Sequence, residues 1–254
     1  MPAVFVGHGS PMLALDSDGF TAGLEDVGKR ISSAYGSPKA ILMLSAHWFT
    51  AGNLVQKTPD PEQIFDFYGF PEALYNVRYK VSGSAELSDA VLALKDLDVR
   101  IDNSWGIDHG AWTPLVHIFP DASVPVVQFS VNGAVTPAEC YRIGSVLGAL
   151  REQGYLLMGS GNIVHNLRAV DWNSAGGSPQ AEAFNNFICS AVSGRDDGAA
   201  INYSKNGYAS YAVPTPEHFL PLLYMLGASR GEKPFIFNNR CTLGAIAMSG
   251  FIFG

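Results

Sequence analysis

The chain has 254 residues, 47% of them hydrophobic and 15% charged, with 27 Gly and 15 Pro, the balance of a compact globule with ordered loops and not of a disordered or coiled-coil chain. A net charge of -7 without any Lys/Arg cluster excludes a nucleic-acid or anionic-membrane surface, since both require a concentrated basic patch. Cys140, Cys189 and Cys241 form no C-x-x-C pair, which excludes a disulfide framework or thiolate zinc site and fits a reducing cytoplasm.

One domain over residues 1–254 is expected, because this length supports a core that needs no staple. The chain shows no leader of basic then apolar residues, and no apolar run approaches the roughly 18 to 20 residues that span a bilayer. A soluble, unexported protein with no membrane partner follows as the expectation.

In chain order, the apolar run at residues 3–6 predicts a short strand that stops at Gly7-His8-Gly9, where the glycines permit positive φ or close approach. His8 is thereby presented at the strand's carboxyl end. A helix over residues 20–35 and a strand over 40–44 follow, with His47 just beyond that strand. Residues 58–75, rich in Pro, Asp and aromatics, read as a loop or lid. A strand at 77–81 and a helix at 85–97 lead to the segment WGIDHGAWTPL, where His109 follows Asp108 and opens a short helix that carries His117. Asp108 is either an orienter of the His109 ring or itself a buried, paired carboxylate.

A strand at 124–129, a helix at 137–152 and a strand at 155–158 come next, and His165 lies a few residues past the last of these. Residues 173–179 and 194–211 are Gly/Ser/Asn-rich and read as loops on either side of a helix at 178–192. His218 falls in the first turn of a helix at 216–226, with strands expected at 235–237 and 243–253, the latter bent or divided at Gly250. Strand and helix alternate, and runs such as AILML and VPVVQF are apolar almost throughout. The pattern predicts an α/β fold, a three-layer α/β/α domain with helices on both faces of its sheet.

His8, His47 and His165 all follow the carboxyl ends of strands, where open α/β sheets bind ligands. Neutral imidazole is the commonest metal ligand, and a helix N-terminus would keep His218 neutral as well. These four histidines therefore predict a metal site, while His117, on an apolar helix, reads as a satisfied core or surface residue. The G-x-G of GSGNIVH lacks the third glycine of a nucleotide fingerprint, and neither H-E-x-x-H nor a P-loop occurs; Ser10 in GHGSP and Ser160 in GSGN are not in G-x-S-x-G, although spacing alone leaves a Ser/His hydrolase open.

In order along the chain, HGSPM, SAHW, DFYGFPEALY, DHGAWTPL, GSGNIVHNL and TPEHFLPLLY together resemble the class III extradiol aromatic ring-opening dioxygenases of the LigB superfamily, and within it the 4,5-DOPA dioxygenase group. The resemblance runs from residue 7 to about residue 226. It implies a mixed central sheet and one divalent ion in a cleft at the strand ends. By the same resemblance His8, His47, His165 and His218 surround that ion, with Fe(II) for activity and Zn(II) in isolated protein. His218, not Glu217, stands where a glutamate completes the shell in other members. His165 is then either ligand or base, and His109 is the dedicated acid/base. The implied reaction opens a DOPA-like catechol with O2 beside its hydroxyls, giving a muconic-semialdehyde type of product. Trp48 and Tyr68, close in sequence to these blocks, are candidate substrate contacts, and Phe67, Phe70 and Trp112 are candidate walls. Two other readings of a His-rich site are a zinc-dependent hydrolase and a non-enzymatic metal-binding protein on the same scaffold.

Overall fold

Six strands in a computed structural model covering Met1–Gly254 form the main sheet: β1 (Ala3–Gly7), β2 (Ile41–Ser45), β3 (Val126–Gln128), β4 (Leu156–Gly161), β5 (Pro234–Phe237) and β6 (Gly250–Phe253). Their spatial order is β3-β2-β4-β1-β6-β5. Strands β3, β2, β4 and β1 are mutually parallel, whereas β6 runs antiparallel to both β1 and β5. The sheet is mixed.

Side chains on a strand alternate between faces, so an all-apolar strand feeds two cores at once. Ala3 and Phe5 of β1, with Leu42 and Leu44 of β2, enter one core, while Val4, Val6, Ile41 and Met43 enter the other. Helices α1 (Gly19–Tyr35) and α3 (His109–Ile118) cover the second face through residues such as Leu24, Val27, Ile31 and Leu115. On the first face lie α2 (Ala85–Leu92), α4 (Pro137–Leu147), α5 (Pro179–Gly194) and α6 (Leu220–Ala228). The three-layer expectation holds.

Helix starts follow local chemistry. Asp18 caps α1 and forms a reciprocal box with Thr21, while Ser178 and Thr136 cap α5 and α4 ahead of a proline in each first turn. The strand expected at residues 77–81 is absent, because the Tyr79 amide donates to Gln63 Oε1 at 2.9 Å and so does not join a ladder. Residues 194–211, expected as loop, contain helical turns at Asp197–Ile201 and Ala209–Ala212, held by an Asp196 cap and by burial of Ala200, Ala209 and Ala212. The helix expected from 216 begins only at Leu220, and the helix expected over 137–152 changes to a tighter 3₁₀ form at Gly148–Gln153. The carboxyl ends of β1, β2 and β4 are in register, with Gly7 opposite Gly161 and Ser45 opposite Ser160, so the loops leaving them share one edge.

Candidate active site

His8 follows β1 directly, and its amide donates to Gly161 O at 3.1 Å, which fixes it to the end of β4. Gly9 beside it adopts φ +60, and the Gly7 Cα faces the Met248 backbone too closely for a side chain. Both glycines thus do what their spacing implies. The His8 ring is buried, and its Nδ1 lies 2.9 Å from Ser160 Oγ. The single Ser160 hydroxyl proton goes to Gly110 O, so His8 Nδ1 is the donor in the pair. Its Nε2 therefore carries a free lone pair, buried and without any hydrogen-bond partner. Burial and four neighbouring imidazoles hold the His8 pKa well below its usual value, consistent with that neutral tautomer.

His47 sits in the turn after β2. Its Nδ1 stands 2.9 Å from Asp66 Oδ2 and 3.6 Å from Asp108 Oδ1, ionic contacts whose angles depart from hydrogen-bond geometry. Burial lowers its pKa, but Asp66 and Asp108 outweigh that and raise it. The same carboxylates raise the affinity of His47 Nε2 for any cation. Asp66 also accepts from the His109 amide and from His109 Nδ1, both at 2.9 Å to Oδ1. Desolvation pushes the Asp66 carboxyl up, yet the hydrogen bond from His109 and the close His47 ring hold it far below the carboxylate range.

Asp66 therefore orients His109, while Asp108 is the buried, paired carboxylate. Asp108 caps α3 and accepts from Ser45 Oγ at 2.6 Å, Trp105 Nε1 at 2.9 Å and Gln128 Nε2 at 3.1 Å. His109 is the first residue of α3, where the helix dipole disfavours imidazolium. Burial lowers its pKa by more than Asp66 raises it.

His218 lies two residues before α6. Its carbonyl accepts from the Asn162 amide at 2.9 Å, and its Nε2 is 3.3 Å from His47 Nε2. Its Nδ1 faces Glu217 Oε1 at 3.2 Å, and burial holds its pKa well down. The His165 ring lies parallel to it, with centroids 3.5 Å apart and planes 8° apart, and burial lowers the His165 pKa to about 4. Imidazole lone pairs lie in the ring plane, and planes separated in this way do not meet at an ion about 2.1 Å from each nitrogen. The in-plane lone pairs of His165 and His218 are therefore not aimed at one common point.

His8, His47 and His218 bring one nitrogen each to within 4.8 Å of the others, as do the groups His47/Asp66/His109 and His165/Glu217/His218. Only the first group offers an unpartnered buried lone pair, since Asp66 is consumed by N–H donors and Glu217 Oε1 accepts from Thr215 Oγ1 at 2.7 Å. Three imidazoles, two of them with carboxylates behind (Asp66 and Asp108 at His47, Glu217 at His218), fit a divalent metal.

The cleft above has a volume of about 600 Å³ and is lined by His8, His47, His109, His165 and His218 together with apolar walls. Tyr68 lines it but is 92% exposed, while Phe67 and Phe70 form one wall. Trp48 is buried outside the lining, because the turn that aims His47 into the cleft directs the next side chain away. Trp112 is buried as well, donating from Nε1 to Ile64 O at 3.1 Å. His117 Nε2 meets Leu13 O at 2.8 Å, away from the site. Sequence reasoning missed Asp66 and Ser160 as members of the site, both within quoted blocks: the D of DFYGFP and the S of GSGN. It also missed the second wall, Leu167, Val170, Trp172, Leu243 and Ile246.

Residues 2–248 match the family described as the catalytic LigB subunit of aromatic ring-opening dioxygenase. A protein of Escherichia coli (strain K12) named 4,5-DOPA dioxygenase extradiol is 39% identical over 240 residues, covering 92% of this chain and 87% of its own. A protein of Beta vulgaris with the same name is 34% identical over 259 residues, covering 98% and 95%. The crystal structure of an uncharacterized protein from Escherichia coli K12 superposes with a TM-score of 0.82 at 33% identity, over 100% of both chains. With that family match over nearly its whole length and a cleft of five histidines at the strand ends, the chain belongs to the LigB family of extradiol ring-opening dioxygenases, metal-dependent oxidoreductases that join an aromatic substrate with O2.

Proposed function

We propose that residues 1–254 act as one catalytic domain that opens the ring of a catechol, the class to which the DOPA named for the relatives belongs, beside its two hydroxyls to give a muconic-semialdehyde type of product. The observation that carries this reading is the buried, unpartnered Nε2 of His8 grouped with His47 and His218. These three residues would hold the ion. Fe(II) bound there supplies Lewis-acid activation of the catechol oxygens and the electron transfer that O2 requires, while Zn(II), higher in the affinity order, replaces it in isolated protein without redox chemistry. An ion held by His8, His47 and His218 would face the cleft, where the catechol ring would lie among the apolar walls.

His109 removes the second phenolic proton. Asp66 keeps the His109 proton on Nδ1, so Nε2 is the free acceptor, and the carboxylate then stabilises the imidazolium that forms. His165, stacked on His218 and neutral at physiological pH, acts at the substrate and not at the ion. Phe67, Phe70 and the opposite wall exclude water around the ring, with Tyr68 at the rim.

The unpaired cysteines, all buried, support a cytoplasmic setting, and no helix is long and apolar enough to cross a membrane. Isotopically heavy O2 tests the reaction class: both oxygen atoms are expected in the ring-opened product. Label in neither position, with the product formed equally without O2, would overturn it in favour of hydrolysis.

A further inference from the structure

Resting on the ring-opening reading, we infer that residues 65–70 form a strap that closes over the bound catechol, with the Tyr68 ring as the part that covers and positions it. Tyr68 lines the cleft and is nonetheless 92% exposed, so its ring stands at the mouth almost wholly in water. On the facing wall Trp172 and Leu167 are 71% and 68% exposed. Three large side chains around one opening thus hold apolar surface that leaves water together when the opening closes.

The backbone of the strap is unconstrained between two fixed ends. No main-chain N–H or C=O of residues 65–70 enters a hydrogen bond within the protein, and the segment lies outside every helix and strand. At one end the Ile64 amide donates to Ile107 O at 3.0 Å and the Ile64 carbonyl accepts from Trp112 Nε1. At the other, Pro71 O accepts from the Leu74 amide at 3.0 Å. Phe65 and Phe67 pack on Trp112 and Tyr75, whereas the next residue, Tyr68, stacks on no ring. Gly69 turns the tip at φ +78 with nothing within 4 Å of where a Cβ would stand, which leaves room for the tip to swing. The same strap carries Asp66, whose two oxygens hold His47 and His109, so it is tethered at the residues it would cover. A ligand draws such a segment closed only through contacts that form in the closed state, and a catechol face meeting the Tyr68 ring supplies them.

Amide hydrogen exchange on anaerobic, Fe(II)-loaded protein reads the closure without turnover. The amides of residues 65–70 are expected to exchange freely without substrate and at least about tenfold more slowly with saturating unsubstituted catechol, its binding established by displacement of 4-nitrocatechol. Tyr68→Ala is expected to keep one Fe(II) and bind catechol yet lose the protection, with KM for catechol raised about tenfold. Tyr68→Phe is expected to regain the protection, because the ring and not the hydroxyl makes the contact. Unchanged exchange with catechol bound, or equal protection in Tyr68→Ala, overturns the inference. Admission of O2 separates the two readings. A protected segment with no O2 uptake defeats ring opening alone, uptake with an unprotected segment defeats the strap alone, and failure of catechol to displace 4-nitrocatechol defeats both.

Discussion

The ring of His165 lies flat against that of His218, 3.5 Å away and 8° from parallel. Stacking confines the His218 ring without competing for its lone pair, so the two histidines divide their work. His218→Ala is expected to abolish stoichiometric metal binding. His165→Ala should retain the ion while kcat falls about 10²–10⁴-fold, the usual contribution of a positioned proton-transfer group. Metal content by elemental analysis, paired with O2 uptake, checks this, and equal metal loss in both variants would contradict it.

Asp66 links His47 to His109 through its two oxygens, at 2.9 Å each. In Asp66→Asn one oxygen becomes an NH2 donor, which cannot accept from a ring N–H. Metal affinity is expected to fall about 10–100-fold, with turnover reduced further because His109 loses its tautomer control. Competition with a chelator measures the first effect; wild-type affinity in the variant would show that Asp66 does not orient His47.

The histidines also set the acid limit of the metal-free protein. Burial lowers the folded pKa values of His8, His109, His165 and His218 below 6.5, so below that pH the unfolded chain binds more protons and stability falls. His47, with a raised pKa, acts in the opposite sense, its contribution being lost as pH rises through that value. Four outweigh one. His165, lowered to about 4, alone accounts for about 3 kcal/mol between 6.5 and 4. The Tm of metal-free protein should therefore drop between pH 7 and pH 4, and less steeply in His165→Phe; a flat profile would refute the buried neutral state.

Gly161 ends β4 where the His218 carbonyl crosses it: a Cβ there would lie 2.1 Å from that oxygen. Gly161→Ala should cost about 1–3 kcal/mol of stability and weaken metal binding, because the backbone that carries His218 must move. Gly207→Ala, at a site with nothing within 4 Å, is the control and should leave both Tm and metal affinity unchanged.

Much of this was legible because hydrophobic alternation and strand-end histidines are local signals. The apolar strands announced a sheet covered on both faces, and His8, His47, His109, His165 and His218 all reached one cleft. The pairing of Asp66 with two histidines was not legible, since it joins a loop to residues about 20 and 40 positions away and nothing at short range marks it. The His165–His218 stack, 53 residues apart in sequence, is likewise a product of tertiary packing. The placement of Trp48 outside the cleft lining was not legible, because adjacency to His47 says nothing of direction in a tight turn. At residues 77–81 apolar spacing suggested a strand, but the Gln63 side chain took the backbone partner a ladder needs.

The most direct test of the account is O2 uptake by protein loaded anaerobically with one Fe(II) and then given unsubstituted catechol. The account predicts about one O2 consumed per catechol, with a yellow semialdehyde accumulating, and neither change in His8→Ala. No uptake by protein shown to hold its iron would contradict it.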